Sequence, residues 1–124
     1  MKMSVTALIL FLYFQSYSQG QDTSKIENQI FNSAETEPAF PGGEEKFKDY
    51  ITLHLHNTEM AVGRIVVQFV VEVDGTLSDI HIVKGLCSKC DAEAIKVMQN
   101  SPRWTPGEKD ERKVRVKYSA TIIY

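Results

Sequence analysis

The most chemically distinctive residues in the chain are two cysteines, Cys87 and Cys90, which form a C-x-x-C motif. A thiol at a helix start after a strand has a lowered pKa, which suits thiol–disulfide exchange. In an oxidising compartment the pair would instead form a structural disulfide, and unpaired cysteines would act as small apolar residues. Cys90 falls on one apolar stripe with Ala94 and Val97, and no βαβ unit precedes the motif. Redox catalysis is therefore the least favoured of the three interpretations.

The histidines His54, His56 and His81 are the other candidate metal ligands. A zinc site needs four converging ligands. His54 and His56 point to different sides of a predicted helix, and His81 lies on the strand face opposite Ile80 and Ile82. We therefore predict no metal site and no cofactor.

Composition and motif spacing limit the function further. The 124 residues carry a net charge of −2, and 43% of them are hydrophobic. These values fit one small folded domain and exclude a disordered chain or a strongly basic nucleic-acid binder. The serine, histidine and acidic residues lack the spacing of a nucleophile elbow or a phosphate-binding loop. We predict neither an enzyme nor a site for a small-molecule substrate.

The N-terminus has the pattern of a secretory signal. Lys2 precedes the apolar run Val5–Phe14, and Ser16-Tyr17-Ser18 provides a small-x-small cleavage site before Gln19. Ten helical residues rise only about 15 Å, half of a hydrocarbon core of roughly 30 Å. We predict that residues 1–18 are a signal peptide removed on export, with an uncleaved, membrane-attached N-terminus as the alternative. Residues 19–39 are polar and are predicted to form a flexible tether.

The rest of the chain has the hydrophobic periodicity of an α+β domain. The predicted elements, in order, are the helix Glu44–His56, the strand Gly63–Val73, the strand Thr76–Lys84, the helix Ser88–Ser101 and the strand Val114–Ile123. Asp74-Gly75 predicts a two-residue hairpin turn between the first two strands, and the charged stretch Glu108–Lys113 is expected to be a solvated loop. The predicted fold is a two-layer sandwich. Its three-stranded antiparallel sheet has the order second, first, third, with both helices on one face and the last strand at an open edge.

Five motifs follow one another in the order of these elements. They are Phe40-Pro41-Gly42-Gly43, Gly63–Gly75, Cys90–Ala94, Ser101–Gly107 and Val114–Tyr118. Together they resemble the C-terminal domain of TonB, the energy-transducing protein of the diderm cell envelope. The similarity covers about Glu37–Tyr124, and we assign residues 40–124 to this domain.

The resemblance implies a periplasmic protein-binding module that takes part in TonB-dependent transport across the outer membrane. In that family the domain meets outer-membrane transporters, whose TonB box adds as a strand to its exposed edge. Carried over position by position, the partner-binding residues are Val114, Arg115, Val116, Lys117, Tyr118, Ser119, Ala120, Thr121, Ile122 and Ile123.

Two other functions remain open from the sequence. The same edge would suit an assembly module that forms a homodimer or joins another envelope protein, and the C-x-x-C motif would suit a small thiol redox protein. Trp104, between two prolines, would either anchor a partner or close the edge of the core, and the second is favoured.

Overall fold

The computed structural model describes residues 28–124. The predicted signal peptide, and residues 19–27 of the predicted tether, lie outside this range. The elements within it are β1 (Ile30–Phe31), α1 (Glu44–His54), β2 (Arg64–Val71), β3 (Leu77–Lys84), α2 (Ser88–Gln99), β4 (Gly107–Lys109) and β5 (Arg112–Ile123).

Both helices start where local chemistry favours them and end slightly earlier than predicted. α1 follows Gly43 and has Glu44 and Glu45 in its first turn, where the helix dipole favours acids. It ends at His54 because Leu55 is already extended. α2 ends at Gln99, two residues before the predicted end at Ser101.

The sheet is mixed, with the strand order β1-β5-β2-β3 and with β4 paired to β5. The antiparallel strands β3, β2 and β5 have the spatial order that the sequence predicts. The predicted number of three strands and the purely antiparallel arrangement are wrong, because β1 runs parallel to β5 and β4 forms a hairpin with it.

The two additional strands fall in segments without strand periodicity. β1 lies in the predicted tether, and its two residues are too few for an alternating pattern. Beyond β1, isolated bridges join Thr36 to Glu108 and Ala39 to Thr105. Part of the polar segment is therefore held against the domain.

Two hairpin turns also differ from expectation. The stretch Glu108–Lys113 turns through Asp110 and Glu111, whose φ angles are 52° and 62°. Positive φ at both positions is the geometry of a type I′ turn, normally signalled by Asn-Gly or Asp-Gly. The β2–β3 turn is one residue longer than predicted, because the Glu72 N–H bonds the Thr76 carbonyl and encloses three residues. Gly75, at φ 87°, provides the left-handed residue that this longer turn requires.

One face of the sheet packs with both helices in a single core. The buried members include the β2 residues Ile65, Val67, Phe69 and Val71, the β5 residues Ala120 and Ile122, Ile51 of α1, and Cys90, Ala94, Val97 and Met98 of α2. Trp104 is only 4% exposed, and its ring lies 5.2 Å from that of Phe69 and 5.8 Å from that of Phe40. The prediction that Trp104 closes the core is confirmed.

Candidate functional site: the open edge of β5

β5 is paired with β2 along one side for most of its length. The register runs from Val71 opposite Val116 to Arg64 opposite Ile123, and the Tyr124 N–H extends it by bonding the Gly63 carbonyl at 2.9 Å. On the other side, β1 pairs with Arg115 and Val116 only. Within residues 28–124, no strand lies against that side from Lys117 to Ile123.

The hydrogen bond of the Tyr124 N–H shows which main-chain groups of β5 face outward. Successive strand residues present their N–H and C=O groups to opposite sides. Because the Tyr124 N–H faces β2, the even-numbered residues before it also face β2. The odd-numbered residues, among them Ser119, Thr121 and Ile123, therefore direct their main-chain donors and acceptors outward.

The side chains along this edge form two different rows. Ala120 and Ile122 are buried in the core, and Tyr118 is half-buried, with its ring 5.3 Å from that of Trp104. Burial, together with the nearby carboxylates of Glu44 and Glu37, raises the pKa of Tyr118 and keeps the phenol neutral. The outer row is exposed and consists of Lys117, Ser119, Thr121 and Ile123.

Three of the ten residues predicted to bind a partner are paired within the chain to strands other than β2. Val114 pairs with Gly107 of β4, while Arg115 and Val116 pair with β1. The structure therefore brings seven of the ten, Lys117–Ile123, to the uncovered stretch.

The sheet has a second edge, formed by β3, which is much less regular. Its pairing with β2 shifts register twice, between Val66 and Val67 and between Gln68 and Val70. Asp79, in the second irregular stretch, has a φ of 49°. Bulges and charged residues on an edge strand hinder pairing with another chain. The outer edge of β5 is thus the better surface for a further strand.

Comparison with known protein families matches residues 58–124 to the C-terminal domain of the Gram-negative bacterial TonB protein. The match spans more than half of the chain. The chain belongs to the TonB C-terminal domain family. The prediction made from the sequence motifs is confirmed.

The chain was also compared with solved structures and with curated proteins. It is similar to the NMR solution structure of the Helicobacter pylori TonB C-terminal domain, residues 179–285, with 20% sequence identity and a TM-score of 0.46. The similarity covers 68% of this chain and 84% of that one. No curated protein matches.

The family gives the coarse function. TonB C-terminal domains are periplasmic protein-interaction domains that contact outer-membrane transporters, and this one has a TonB-like role in TonB-dependent transport. Within residues 28–124, no helix is long and apolar enough to cross a membrane.

An ion pair fixes the covered end of β5 in this TonB domain. Arg115 Nε lies 2.7 Å from Glu72 Oε1, and its Nη2 lies 3.1 Å from Oε2. The same guanidinium donates through Nη1 to the Asn28 carbonyl at 2.9 Å. The hydrogen bond from Arg115 is the main cause of a lowered pKa at Glu72, with a further contribution from the Ser78 hydroxyl.

Sequence reasoning missed the roles of Glu72 and Asn28 around Arg115. The predicted strand Gly63–Val73 includes Glu72, but nothing local indicated which cation of β5 lay beside it. Asn28 acts through its backbone, which leaves no signal in residue type. Only the pairing register of the two strands could have predicted that Glu72 contacts Arg115.

The C-x-x-C motif forms a disulfide at the start of α2. Cys87 and Cys90 are bonded, with their Cα atoms 5.0 Å apart. The Cys90 N–H also donates to Cys87 Sγ at 3.0 Å, so this sulfur takes the N-cap position. Cys90 is 3% exposed and belongs to the core.

Two of the three histidines of the TonB domain contact backbone carbonyls. His54 Nδ1 lies 2.9 Å from the Tyr50 carbonyl, and His81 Nδ1 lies 2.9 Å from the Asp79 carbonyl. Among the described residues, no three His, Cys, Asp or Glu side chains are grouped to hold a metal ion.

Proposed function

We propose that this protein binds an extended segment of an outer-membrane transporter, which adds as a further strand to the open edge of β5. The observation that carries this proposal is the outward main chain of Lys117–Ile123, to which no strand within the described residues is paired. In strand addition, main-chain hydrogen bonds provide affinity and side-chain pockets provide selectivity.

Two features of the sheet favour this edge over the alternatives. The pairing of β5 with β2 is regular from Val116 to Ile123. The main-chain donors and acceptors that face outward therefore recur at every second residue of β5. The register shifts of β3 interrupt that repeat at the other edge. A partner segment therefore makes a longer ladder of hydrogen bonds on β5.

The test is proline substitution at an outward-facing position. Ser119→Pro removes an outward N–H but leaves the ladder to β2, and proline is tolerated at edge positions of this kind. Transporter-peptide binding should fall by at least tenfold, with unchanged far-UV circular dichroism. Thr121→Pro provides a second position with the same expectation.

The matched control is Ser119→Ala, which keeps the N–H and removes only the hydroxyl that accepts from Gln68 Nε2 at 3.3 Å. It should bind as the wild type does. Equal affinity of the proline and alanine variants would contradict strand addition. If the edge instead joins two copies of this chain, sedimentation will give a dimer without peptide, and Ser119→Pro will convert it to a monomer.

We also propose that residues 1–18 direct export and are then removed. The charge of Lys2, the short apolar run after it and the small residues before Gln19 support this. Mass spectrometry of the exported protein should give an N-terminus at Gln19, and an intact Met1 in the exported fraction would contradict cleavage.

A further inference from the structure

We propose that β1 sets the length of the strand-docking site. This inference rests on the proposed function and adds to it the kind of partner that fits. The open edge accepts an extended segment opposite the seven residues Lys117–Ile123, and a longer segment pairs in register only by displacing β1.

The first argument is the position of β1 on the same edge. β1 lies on the side of β5 that β2 leaves free, and its last residue, Phe31, is opposite Val116. The open stretch begins at the next residue, Lys117. A segment docked on β5 therefore meets the end of β1 as soon as it extends past Lys117.

The second argument is the path of the chain after β1. Strand pairing with β5 stops at Phe31, and the chain crosses to pair at Thr36 with Glu108 of β4. The chain thus leaves the edge and does not fill the rest of it. The open stretch ends on one side at β1 and on the other at the end of β5.

The third argument is the small number of contacts that hold β1. Beyond two residue pairs and the partial burial of Phe31, the described contacts include the bond from Arg115 Nη1 to the Asn28 carbonyl and the ammonium of Lys109, 4.6 Å from the centre of the Phe31 ring. Ile30 is 41% exposed. Arg115 keeps its two contacts to Glu72 if β1 leaves. A competing strand can therefore displace β1 without leaving Arg115 unpaired.

The experiment measures affinity against peptide length on the full chain. The probes are synthetic peptides that copy the extended segment of an outer-membrane transporter, from about four to about twelve residues long. For the wild type, the dissociation constant should fall with length until the peptide spans the seven open residues, and then level off. For Phe31→Pro, which removes the pairing N–H and the ring of β1, it should continue to fall and reach at least threefold tighter binding for the longest peptide.

Two further variants keep this test decisive. Ser33→Pro changes the chain just after β1 and should give the wild-type length dependence. Phe31→Ala removes the ring contact alone and should give an intermediate result, which covers the case in which the proline variant folds poorly. A wild-type affinity that keeps rising past seven residues, or an identical plateau in Phe31→Pro, would overturn this inference alone. Absence of binding at every length would overturn the proposed function, and this inference with it.

Discussion

The Tyr124 hydroxyl donates a hydrogen bond to the Cys90 carbonyl at 2.9 Å and so joins the end of the edge strand to the first turn of α2. The Tyr124 N–H bonds the Gly63 carbonyl at the same time. One residue therefore connects β5, the start of β2 and α2. Burial, with smaller contributions from Glu93 and Asp91, raises the pKa of Tyr124 and keeps its hydroxyl a donor at neutral pH.

Tyr124→Phe should lower the free energy of unfolding by about 1 kcal/mol, the usual net value of one hydrogen bond. The ring packing remains, so the loss isolates the hydroxyl. Urea unfolding monitored by Trp104 fluorescence measures it. A variant as stable as the wild type would mean that this bond contributes nothing.

Glu72→Gln should destabilise the protein at neutral pH by roughly 1 to 2 kcal/mol, because a charge-assisted pair with Arg115 is lost. The folded-state pKa of Glu72 is lowered below its ordinary value of 4.5. Its charge therefore stabilises the fold above that value, and the contribution disappears as the pH falls through the lowered pKa. Denaturation curves of both proteins from neutral to acidic pH should converge at the acidic end. A constant difference across this range would contradict the assignment.

The disulfide should contribute stability without taking part in binding. Closing a loop this short constrains the unfolded chain by about 2 kcal/mol, so the double variant Cys87→Ala, Cys90→Ala should be less stable by roughly that amount. Its affinity for a transporter peptide should be unchanged. Thiol titration of the exported protein should find free thiols only after reduction. Loss of binding in the double variant would revive a redox role.

The N-cap role of Cys87 can be separated from the disulfide. Because Cys87 Sγ accepts from the Cys90 N–H, a serine at position 87 can supply an equivalent acceptor. The variant Cys87→Ser, Cys90→Ala should be about 1 kcal/mol more stable than the version with alanine at both positions. Thermal unfolding of the pair measures the difference, and equal midpoints would exclude capping.

Gly75→Ala should cost more than Gly42→Ala, although both glycines have a φ of 87°. A methyl group on Gly75 would clash with the backbone carbonyl oxygen of Trp104, whereas one on Gly42 meets the flexible Lys46 side chain. The left-handed conformation alone costs about 1 to 2 kcal/mol, so the difference between the variants reports the backbone clash. Similar unfolding free energies would contradict a rigid contact between Gly75 and Trp104.

The sequence predicted those parts of the fold that depend on local periodicity. Phe69 in β2 and Ala94 in α2 both belong to apolar residues that recur at the period of their element and face the core. Because such a period is visible in the residue types, both elements could be predicted from the sequence. β1 depends on where Ile30 meets Arg115 in space, and no local pattern encodes that pairing. The turn at Asp110-Glu111 was missed because Glu111 lies at positive φ, where glycine normally signals a type I′ turn.

The sequence likewise predicted one part of the candidate site and missed another. The resemblance predicted that β5 is the partner strand, and among the described residues no strand is paired to the outer side of Lys117–Ile123. The part that the sequence could not supply is the covered end, because Val116 is paired by a segment that reads as polar tether. The pairing of Ile30 and Phe31 with β5 is a main-chain contact, which residue types do not record.

The parallel alignment of β1 with β5 has a mechanical consequence. Tension along the strand axis, applied through the chain that precedes Ile30, would slide β1 along β5 rather than peel it away. Its main-chain bonds to β5 would then share the force and break together, and the bond from Arg115 to the Asn28 carbonyl would add resistance. We therefore expect β1 to resist a pull along the strand better than a pull across it.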